Sequence, residues 1–344
     1  MDIKILIIRL SAVGDVVHTL PALHAIRNKY PEARVDWLVE QGASTLLQDH
    51  PLIDNLYIFR KQWRRNFLRY FFKNTVPFFK KLRKTKYDWA IDFQGLTKSG
   101  LGAYFSGASR IIGFGDKDGR ELNKLFTNVK IKPPPALHVI ERNLCLLQPL
   151  GIRNPEIQFP FPEFHFDDFS LQNQSFVAIN PGAGWVTKRI PLDILAKTSA
   201  LIFQEKKLKT IITWGPGESN LAKALCEKIT SLGGDADIAP QTTLPQLASL
   251  ISRAALFIGG DTGPSHIAAA LQVPVLAVFG ASDSKRNRPY GKHCVTLQKF
   301  EIPCVPCWKT HCQYKGDRRN QCVKAFSSEQ LIAQAMNLLN KRDT

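Results

Sequence analysis

The 344-residue sequence contains no apolar run of about 20 residues, which is the length that a helix needs to cross a bilayer. This absence argues against a helical membrane protein. The apolar start at residues 3–10 is interrupted by Arg9 and leads into a turn at Gly14 and Asp15. It is typical of a buried first strand, because a signal peptide has a longer apolar region and a small-residue cleavage site. We expect the protein to stay in the cytoplasm, where disulfides are disfavoured.

Two common nucleotide-binding loops are also absent. The chain has no Walker A loop, and Gly113, Gly115 and Gly119 do not have the spacing of G-x-G-x-x-G. The sequence therefore argues against a P-loop nucleoside triphosphatase and against a dinucleotide-dependent dehydrogenase.

Acidic residues are few. Twenty-nine Asp and Glu stand against 46 Lys and Arg, so the formal net charge is +17. Such a field favours polyanionic partners, and nucleic acid, an anionic membrane surface and a phosphorylated substrate all qualify. No recognised nucleic-acid-binding motif occurs, which makes a basic nucleic-acid-binding protein the weaker alternative.

The densest basic stretch, residues 61–86, combines ten Lys and Arg with seven aromatic residues. One interpretation is an amphipathic helix pair whose aromatic side chains face inward. The other is a surface that binds anionic lipid headgroups, in a salt-dependent way, through cations such as Arg64, Arg65, Arg69 and Lys73. The two interpretations are compatible, because long cationic side chains can surround an apolar face.

Short apolar segments alternate with helical patterns, such as that of residues 20–30, along the whole chain. Strands are expected at residues 4–9, 34–39, 88–92, 176–180, 209–214, 255–259 and 273–279. Near-continuous apolar strands that alternate with helices indicate parallel sheets covered on both faces. The pattern therefore predicts an α/β protein with two doubly wound domains.

A Pro- and Phe-rich stretch without periodicity, within residues 153–174, separates the two runs of strands. We expect an N-terminal domain over residues 1–160 and a linker over 161–174. A C-terminal domain over 175–326 and a terminal helix over 327–344 would follow.

The first motif, S-A-V-G-D-V-V-H-T-L-P-A-L at residues 11–23, directly follows the first strand. In an open parallel sheet, ligands bind beyond the carboxyl ends of the strands, which is where this turn lies. Asp15 would either project towards a ligand or only cap the following helix. His18 is more typical of a packed helix residue than of a catalytic one.

The second motif, G-G-D-T-G-P-S-H-I-A-A-A-L at residues 259–271, follows another strand. A Gly-rich turn that opens a helix offers backbone N–H groups and the positive end of a helix dipole to a diphosphate.

Together these motifs resemble those of the ADP-heptose:lipopolysaccharide heptosyltransferases. Further matches lie between them in the family's order: D-W-L-V-E at 36–40, D-F-Q-G-L-T-K-S at 92–99, Arg120-Glu121, N-P-G-A-G at 180–184 through Lys188, and W-G-P-G-E at 214–218. The set reaches about residue 290, and its details are most similar to the type I enzymes, which add the first heptose to Kdo. The resemblance implies a GT-B fold, in which two Rossmann-like domains face each other across a cleft.

The resemblance also implies the reaction. Heptose would move from ADP-L-glycero-β-D-manno-heptose to Kdo of lipid A, with inversion and without a required metal or other cofactor, at the cytoplasmic face of the inner membrane. The alternatives are another acceptor, such as the second core heptose or a protein, or another sugar nucleotide. Because this chain has Ala183 and Gly184 where the type I pattern often has hydroxyl residues, any phosphate contact there would use the backbone.

The site residues implied by the resemblance fall into two groups. The catalytic group comprises a general base, Asp15, and two cations that stabilise the leaving ADP, Lys188 and Arg120. The remaining donor contacts would come from Ala183, Gly184, Thr262, Gly263 and His266 around the phosphates, Asp261 at the sugar, Glu218 at the ribose and Thr242 at the adenine.

Four of the seven cysteines, Cys304, Cys307, Cys312 and Cys322, occur close together near the end of the chain. A C-x₂-C pair followed by two more thiols suits a tetrahedral zinc or iron site, although the second pair is more widely spaced than in a zinc ribbon. A structural metal, free or buried thiols, and disulfides all stay open.

Overall fold

The computed structural model describes residues 3–60, 75–164 and 175–341. It forms two compact units, Met1–Glu163 and Phe164–Thr344. Residues 61–74, with Arg64, Arg65, Arg69 and Lys73, lie outside the described residues, as do residues 165–174 of the predicted linker.

The first unit is built on a parallel sheet of six strands in the order β3-β2-β1-β4-β5-β6. The strands are β1 (Lys4–Ile8), β2 (Arg34–Glu40), β3 (Asn55–Phe59), β4 (Trp89–Asp92), β5 (Arg110–Phe114) and β6 (Val129–Ile131). The central strand β1 is buried from Ile5 to Ile8. Such an apolar strand is stable only between two covering layers.

Helices connect these strands and cover the sheet. They are α1 (Val13–Val17), α2 (Leu20–Lys29), α3 (Gln41–Ser44), α4 (Val76–Arg83), α5 (Thr97–Ser106) and α6 (Val139–Cys145). In α4, Leu82 is buried and Phe78 and Phe79 pack against the core, while the Lys and Arg side chains are exposed. The described part of the basic stretch therefore fits the amphipathic-helix interpretation.

The second unit repeats the architecture, with the strand order β12-β11-β10-β7-β8-β9. Its strands are β7 (Phe176–Asn180), β8 (Lys209–Ile212), β9 (Ala236–Ile238), β10 (Leu256–Gly260), β11 (Val275–Phe279) and β12 (Cys294–Gln298). Its helices are α7 (Leu192–Lys206), α8 (Ser219–Ser231), α9 (Leu244–Ser252), α10 (Gly263–Ala270), α11 (Ser284–Asn287), α12 (Gln321–Lys324) and α13 (Ser328–Asn340).

The two parallel sheets confirm the predicted α/β class. All seven expected strands are present, whereas β3, β5, β6, β9 and β12 were not among them. The missed strands are short, carry polar residues or have partly exposed side chains, so they lack the continuous apolar signal of a central strand. No helix within the described ranges is both long and apolar enough to span a membrane.

Both sheets have the same topological switch point. The strand order reverses between β1 and β4 in the first unit and between β7 and β10 in the second. In open α/β sheets, ligands bind at this point, beyond the carboxyl ends of the strands. A ligand-binding site is therefore expected in the loops after these four strands.

Candidate functional site

Lys188 and Asp261 form an ion pair at the switch point of the second sheet. Lys188 follows β7 and Asp261 follows β10, and the Lys188 Nζ atom lies 2.6 Å from Asp261 Oδ2. The second carboxylate oxygen of Asp261 is 3.1 Å from His266 Nε2, on the first turn of α10. Both partners of the ion pair are largely buried, with side-chain exposures of 16% and 6%.

The surroundings of Asp261 keep it ionised. Burial opposes the charge, but the hydrogen bond from His266 and the charge of Lys188 together hold the pKa of Asp261 below its ordinary value. The Lys188 ammonium also lies 4.4 Å from the ring centre of Trp185, within cation–π range. These contacts hold the Lys188 ammonium in a fixed position, as an ion pair with Asp261, at the edge of the sheet where α10 begins.

Two glycines let the backbone of the Lys188 turn pack closely against the sheet. A Cβ atom at Gly260 would lie 2.4 Å from the Lys188 carbonyl oxygen, and one at Gly280 would lie 2.6 Å from that of Thr187. Any larger residue would push the turn outward, so these glycines set the height of Lys188 above the strand ends.

Glu218 occupies the loop after β8 and is held from two sides. Its Oε2 atom accepts a hydrogen bond from the Gly215 amide at 3.0 Å, and its Oε1 atom lies 3.9 Å from Arg189 Nη2. A Cβ at Gly182 would lie 2.0 Å from the same carboxylate. The glycine of the N-P-G-A-G motif therefore makes room for Glu218.

The other expected donor residues lie at the same edge of the sheet. Ala183 is buried, Gly184 is exposed, and the Ala183 carbonyl accepts a hydrogen bond from Arg189 Nε at 3.1 Å. Thr262 is the residue that precedes α10, and Gly263 is its first residue. Thr242 lies beyond the edge strand β9, in a different loop from the ion pair.

Asp15 lies at the switch point of the first sheet, after β1. Its Oδ1 atom is 2.7 Å from Arg9 Nη2, and its Oδ2 atom accepts a hydrogen bond from the Ala12 amide at 3.1 Å. The Arg9 side chain is buried, whereas 43% of the Asp15 side chain is exposed. Asp15 therefore does cap the first turn of α1, and it still presents a carboxylate to solvent.

Polar residues from the end of β2, the loop after β4 and the start of α5 surround the same turn. Gln94 accepts a hydrogen bond from the Leu10 amide at 2.8 Å, and Lys98 Nζ lies 2.7 Å from Glu40 Oε1 and 3.5 Å from Ser11 Oγ. The loops after β1, β2 and β4 are thereby joined into one polar surface around Asp15.

Arg120 is exposed in the loop after β5. Its amide donates to the Gly95 carbonyl at 2.8 Å, which ties that loop to the one after β4. The buried Asp92 accepts hydrogen bonds from the Gln94 amide, Ser99 and Asn123 and organises this region. Buried His18 packs edge-on against His138, with 5.8 Å between ring centres, as expected for a packed residue.

The four clustered cysteines line one cavity of about 270 Å³ in the second unit. Burial, followed by the neighbouring thiols, raises the pKa of Cys322 to about 11. Within the described residues, no three His, Cys, Asp or Glu side chains are arranged to hold a metal ion as they stand. The donor chemistry thus suits zinc or iron, while the sulfur positions do not form a ready coordination shell.

The sequence profile of glycosyltransferase family 9 (heptosyltransferase) matches residues 76–317, more than two thirds of the chain. The chain belongs to this family. It is therefore a glycosyltransferase, which confirms the resemblance drawn from the motifs.

Two curated relatives span almost the full length of this family 9 chain. Lipopolysaccharide heptosyltransferase 1 of Pseudomonas aeruginosa is 27% identical over 339 residues, which cover 95% of this chain and 92% of the relative. Lipopolysaccharide heptosyltransferase 3 of Escherichia coli K12 is 28% identical over 344 residues and covers 95% of each chain.

Solved structures share the fold. The Escherichia coli heptosyltransferase WaaC with ADP superimposes with a TM-score of 0.78 at 23% identity, covering 98% of this chain and all of the other. Escherichia coli heptosyltransferase II gives 0.76 at 18% identity, covering 99% and 100%. The likeness confirms the GT-B fold class expected for the family 9 chain.

Some site residues of the family 9 chain were not predicted. In the sequence, Arg9 only interrupts an apolar segment, and no pattern points to Trp185 or Arg189. A charged residue directly at the end of a buried apolar strand is a usable signal, because such a side chain requires a partner. The spatial neighbours of Trp185 and Arg189 are not visible in one sequence.

The buried Lys188–Asp261 ion pair should contribute to the free energy of unfolding of the family 9 chain. Asp261→Asn leaves the buried Lys188 charge without its partner, so the free energy of unfolding at neutral pH should fall by about 3 kcal/mol. Because the folded-state pKa of Asp261 is lowered, its stabilisation is present above the ordinary pKa of Asp, about 4, and declines as the pH falls further. The penalty of the substitution in urea unfolding should shrink below about pH 4.

Asp193→Asn is the matched control, because the Lys228–Asp193 pair has the same 2.6 Å separation but side-chain exposures of 46% and 73%. We expect a change within about 0.5 kcal/mol there. Equal decreases in the free energy of unfolding of the two variants would show that burial of the Lys188–Asp261 pair does not add to stability.

Proposed function

We propose that the chain transfers L-glycero-D-manno-heptose from ADP-heptose to Kdo of lipid A in lipopolysaccharide core synthesis. The observation that carries the proposal is the pair of charged clusters at the two switch points, one around Lys188 and one around Asp15. Membership in the heptosyltransferase family and curated relatives named lipopolysaccharide heptosyltransferases support the substrate class.

The donor side suits a nucleoside diphosphate sugar. In the proposed complex, the diphosphate lies at the N-terminus of α10, where the amides of Thr262 and Gly263 and the helix dipole meet it. Lys188 supplies a positive charge at the same edge of the sheet, and it is held in place by Asp261 and by the close backbone packing at Gly260. A pre-organised cation of this kind stabilises the negative charge that develops on departing ADP.

The remaining donor assignments follow from position at the same edge. We assign ribose contacts to Glu218 and an adenine contact to Thr242, with the backbone at Ala183 and Gly184 near the phosphates. Because both oxygens of Asp261 already have partners, we infer that it acts on the donor mainly by fixing Lys188 and His266. Arg120, exposed on the first unit, would supply a further cation to the leaving group.

Asp15 suits the role of general base. The Kdo hydroxyl oxygen forms a bond to the anomeric carbon of heptose, the bond from that carbon to the diphosphate breaks, and the hydroxyl proton moves to the Asp15 carboxylate. The base must reach the hydroxyl, and the half-exposed side chain of Asp15 meets this requirement. Arg9, itself buried, orients the carboxylate through Oδ1.

The transfer assay tests the proposal as a whole. The purified protein, incubated with ADP-heptose and Kdo₂–lipid A, should add the mass of one heptose to the acceptor. Heptosylated Kdo₂–lipid A is offered in parallel, because relatives named heptosyltransferase 1 and 3 are similarly close. Transfer only to the heptosylated lipid would favour a later step in the core, and no transfer to either would contradict the proposed acceptor.

Asp15→Asn should lower turnover at least about a hundredfold while ADP-heptose still binds, because the amide cannot accept the proton. Asp54→Asn is the control: its carboxylate pairs with Arg27 and is also 43% exposed, but it precedes β3 and lies at the opposite edge of the sheet. Turnover should be measured by mass spectrometry and donor binding by calorimetry. Similar turnover in Asp15→Asn and in the parent would remove Asp15 from the chemistry.

We also propose that Cys304, Cys307, Cys312 and Cys322 bind one structural zinc or iron ion by closing around the shared cavity. Protein purified without chelator should then carry about one equivalent of metal and lose thermal stability when the metal is removed, since such binding is coupled to folding. Elemental analysis, thiol titration and thermal unfolding measure this. Metal-free protein with four titratable thiols and unchanged stability would contradict the proposal.

A further inference from the structure

Four large apolar side chains of the first unit are exposed on neighbouring elements. They are Tyr104 (58% exposed) and Phe105 (38%) on α5, and Leu122 (59%) and Leu125 (75%) on the turn after β5. We call this set the apolar strip. Soluble proteins rarely expose grouped large apolar side chains without a binding role.

The apolar strip is continuous with a row of aromatic rings. The Tyr104 ring lies 5.6 Å from that of Phe105 and 6.1 Å from that of Phe126, which directly follows Leu125. At the other end, Phe105 lies 5.2 Å from Phe79 of α4. The strip therefore runs along one side of α5.

The underside of the strip is firmly held. Asn123, between the two leucines, is buried and donates hydrogen bonds to Asp92 at 2.6 Å and to the Leu96 carbonyl at 2.9 Å. Gly100 of α5 packs against Phe126. Because the inward side of this turn is occupied, Leu122 and Leu125 are held towards solvent.

Cations flank the strip at both ends. Residues 76–86 contain five Lys and Arg and no acidic residue, and Arg83 packs beside Gly107 at the end of α5. Lys124 and Arg120 lie at the other end. The nearby carboxylate of Glu121 accepts a hydrogen bond from the Thr97 amide at 3.0 Å. An apolar face bordered by cations is complementary to an anionic lipid surface.

We propose that the apolar strip docks the protein on an anionic bilayer, with the leucines at the depth of the headgroups. The inference rests on the proposed function in one respect: the acceptor is a lipid held in a membrane. Arg120 is two residues from Leu122, so docking brings the carboxyl edge of the first sheet, with its polar residues, close to the lipid surface.

The test is sedimentation of the full chain with vesicles of phosphatidylglycerol and phosphatidylethanolamine, compared with phosphatidylcholine alone. The parent should bind only the anionic vesicles, and high salt should weaken but not abolish binding, because the apolar contribution is not screened. The double variant Leu122→Ser, Leu125→Ser should lower the ratio of bound to free protein about tenfold or more and lose the salt-resistant fraction.

Two further variants separate docking from damage to the fold. Leu232→Ser changes a leucine that is 42% exposed in the second unit and should bind like the parent. The double variant Leu122→Trp, Leu125→Trp should bind at least as well as the parent, since Trp favours the membrane interface. Thermal unfolding of each variant reports whether the fold is retained.

Vesicle binding requires neither donor nor acceptor, so its outcome is independent of the transfer assay. Transfer to a short-chain soluble acceptor should be unchanged in the serine variant, while transfer to Kdo₂–lipid A in vesicles should fall. Parent protein that ignores anionic vesicles, or equal binding by the parent and the serine variant, would overturn the proposal. A concentration-dependent dimer that the serine variant abolishes, without any effect on vesicle binding, would assign the strip to a second copy of the chain instead.

Discussion

The parallel direction of every strand pair determines where this molecule can place its chemistry. All carboxyl ends of a parallel sheet lie at one edge, and the loops there diverge only where the strand order reverses. In both units that opening holds an ion pair, Arg9–Asp15 in the first and Lys188–Asp261 in the second. Residues as far apart in sequence as Lys188 and Asp261 meet because β7 and β10 are neighbours. The repeated strand order thus provides two separate sites for charged groups. Changes in the loops at the carboxyl edge can alter which ligand binds without altering the sheet.

The Lys188–Asp261 pair is an expensive way to stabilise a protein, because two charges must leave water to form it. Both members of the pair nevertheless have further partners. His266 contacts the second carboxylate oxygen of Asp261, and the Trp185 ring lies beside the Lys188 ammonium. The glycine at position 260 removes the side chain that would otherwise lift the Lys188 turn. A cation fixed in this way is suited to a reaction in which negative charge develops on a substrate. Reorienting the cation during such a reaction would raise the activation barrier.

The sequence allowed the central strands and the overall class to be predicted because burial on both faces leaves a continuous apolar signal. The edge strand β6, with exposed Lys130 between two partly buried residues, leaves none. For the site, the motifs identified Asp15, Lys188 and Asp261 as separate candidates, but their partners depend on which strands become neighbours. The sugar contact of Asp261 stays a prediction, and the structure adds that the two carboxylate oxygens bind Lys188 and His266. Gly182 belongs to the N-P-G-A-G motif, but the need for a glycine there, which is room for the Glu218 carboxylate, is visible only in the structure.

The cysteine-rich segment is connected to the Lys188 turn by direct contacts. The Thr187 hydroxyl donates a hydrogen bond to the Lys309 carbonyl at 2.6 Å, and the Trp308 amide donates to the Ala281 carbonyl at 2.8 Å. A Cβ at Gly280 would meet both the Thr187 carbonyl and the Cys322 sulfur. The residue immediately before Lys188 is therefore packed between the end of β11 and this segment. Whatever orders the four thiols therefore also supports the backbone that carries Lys188.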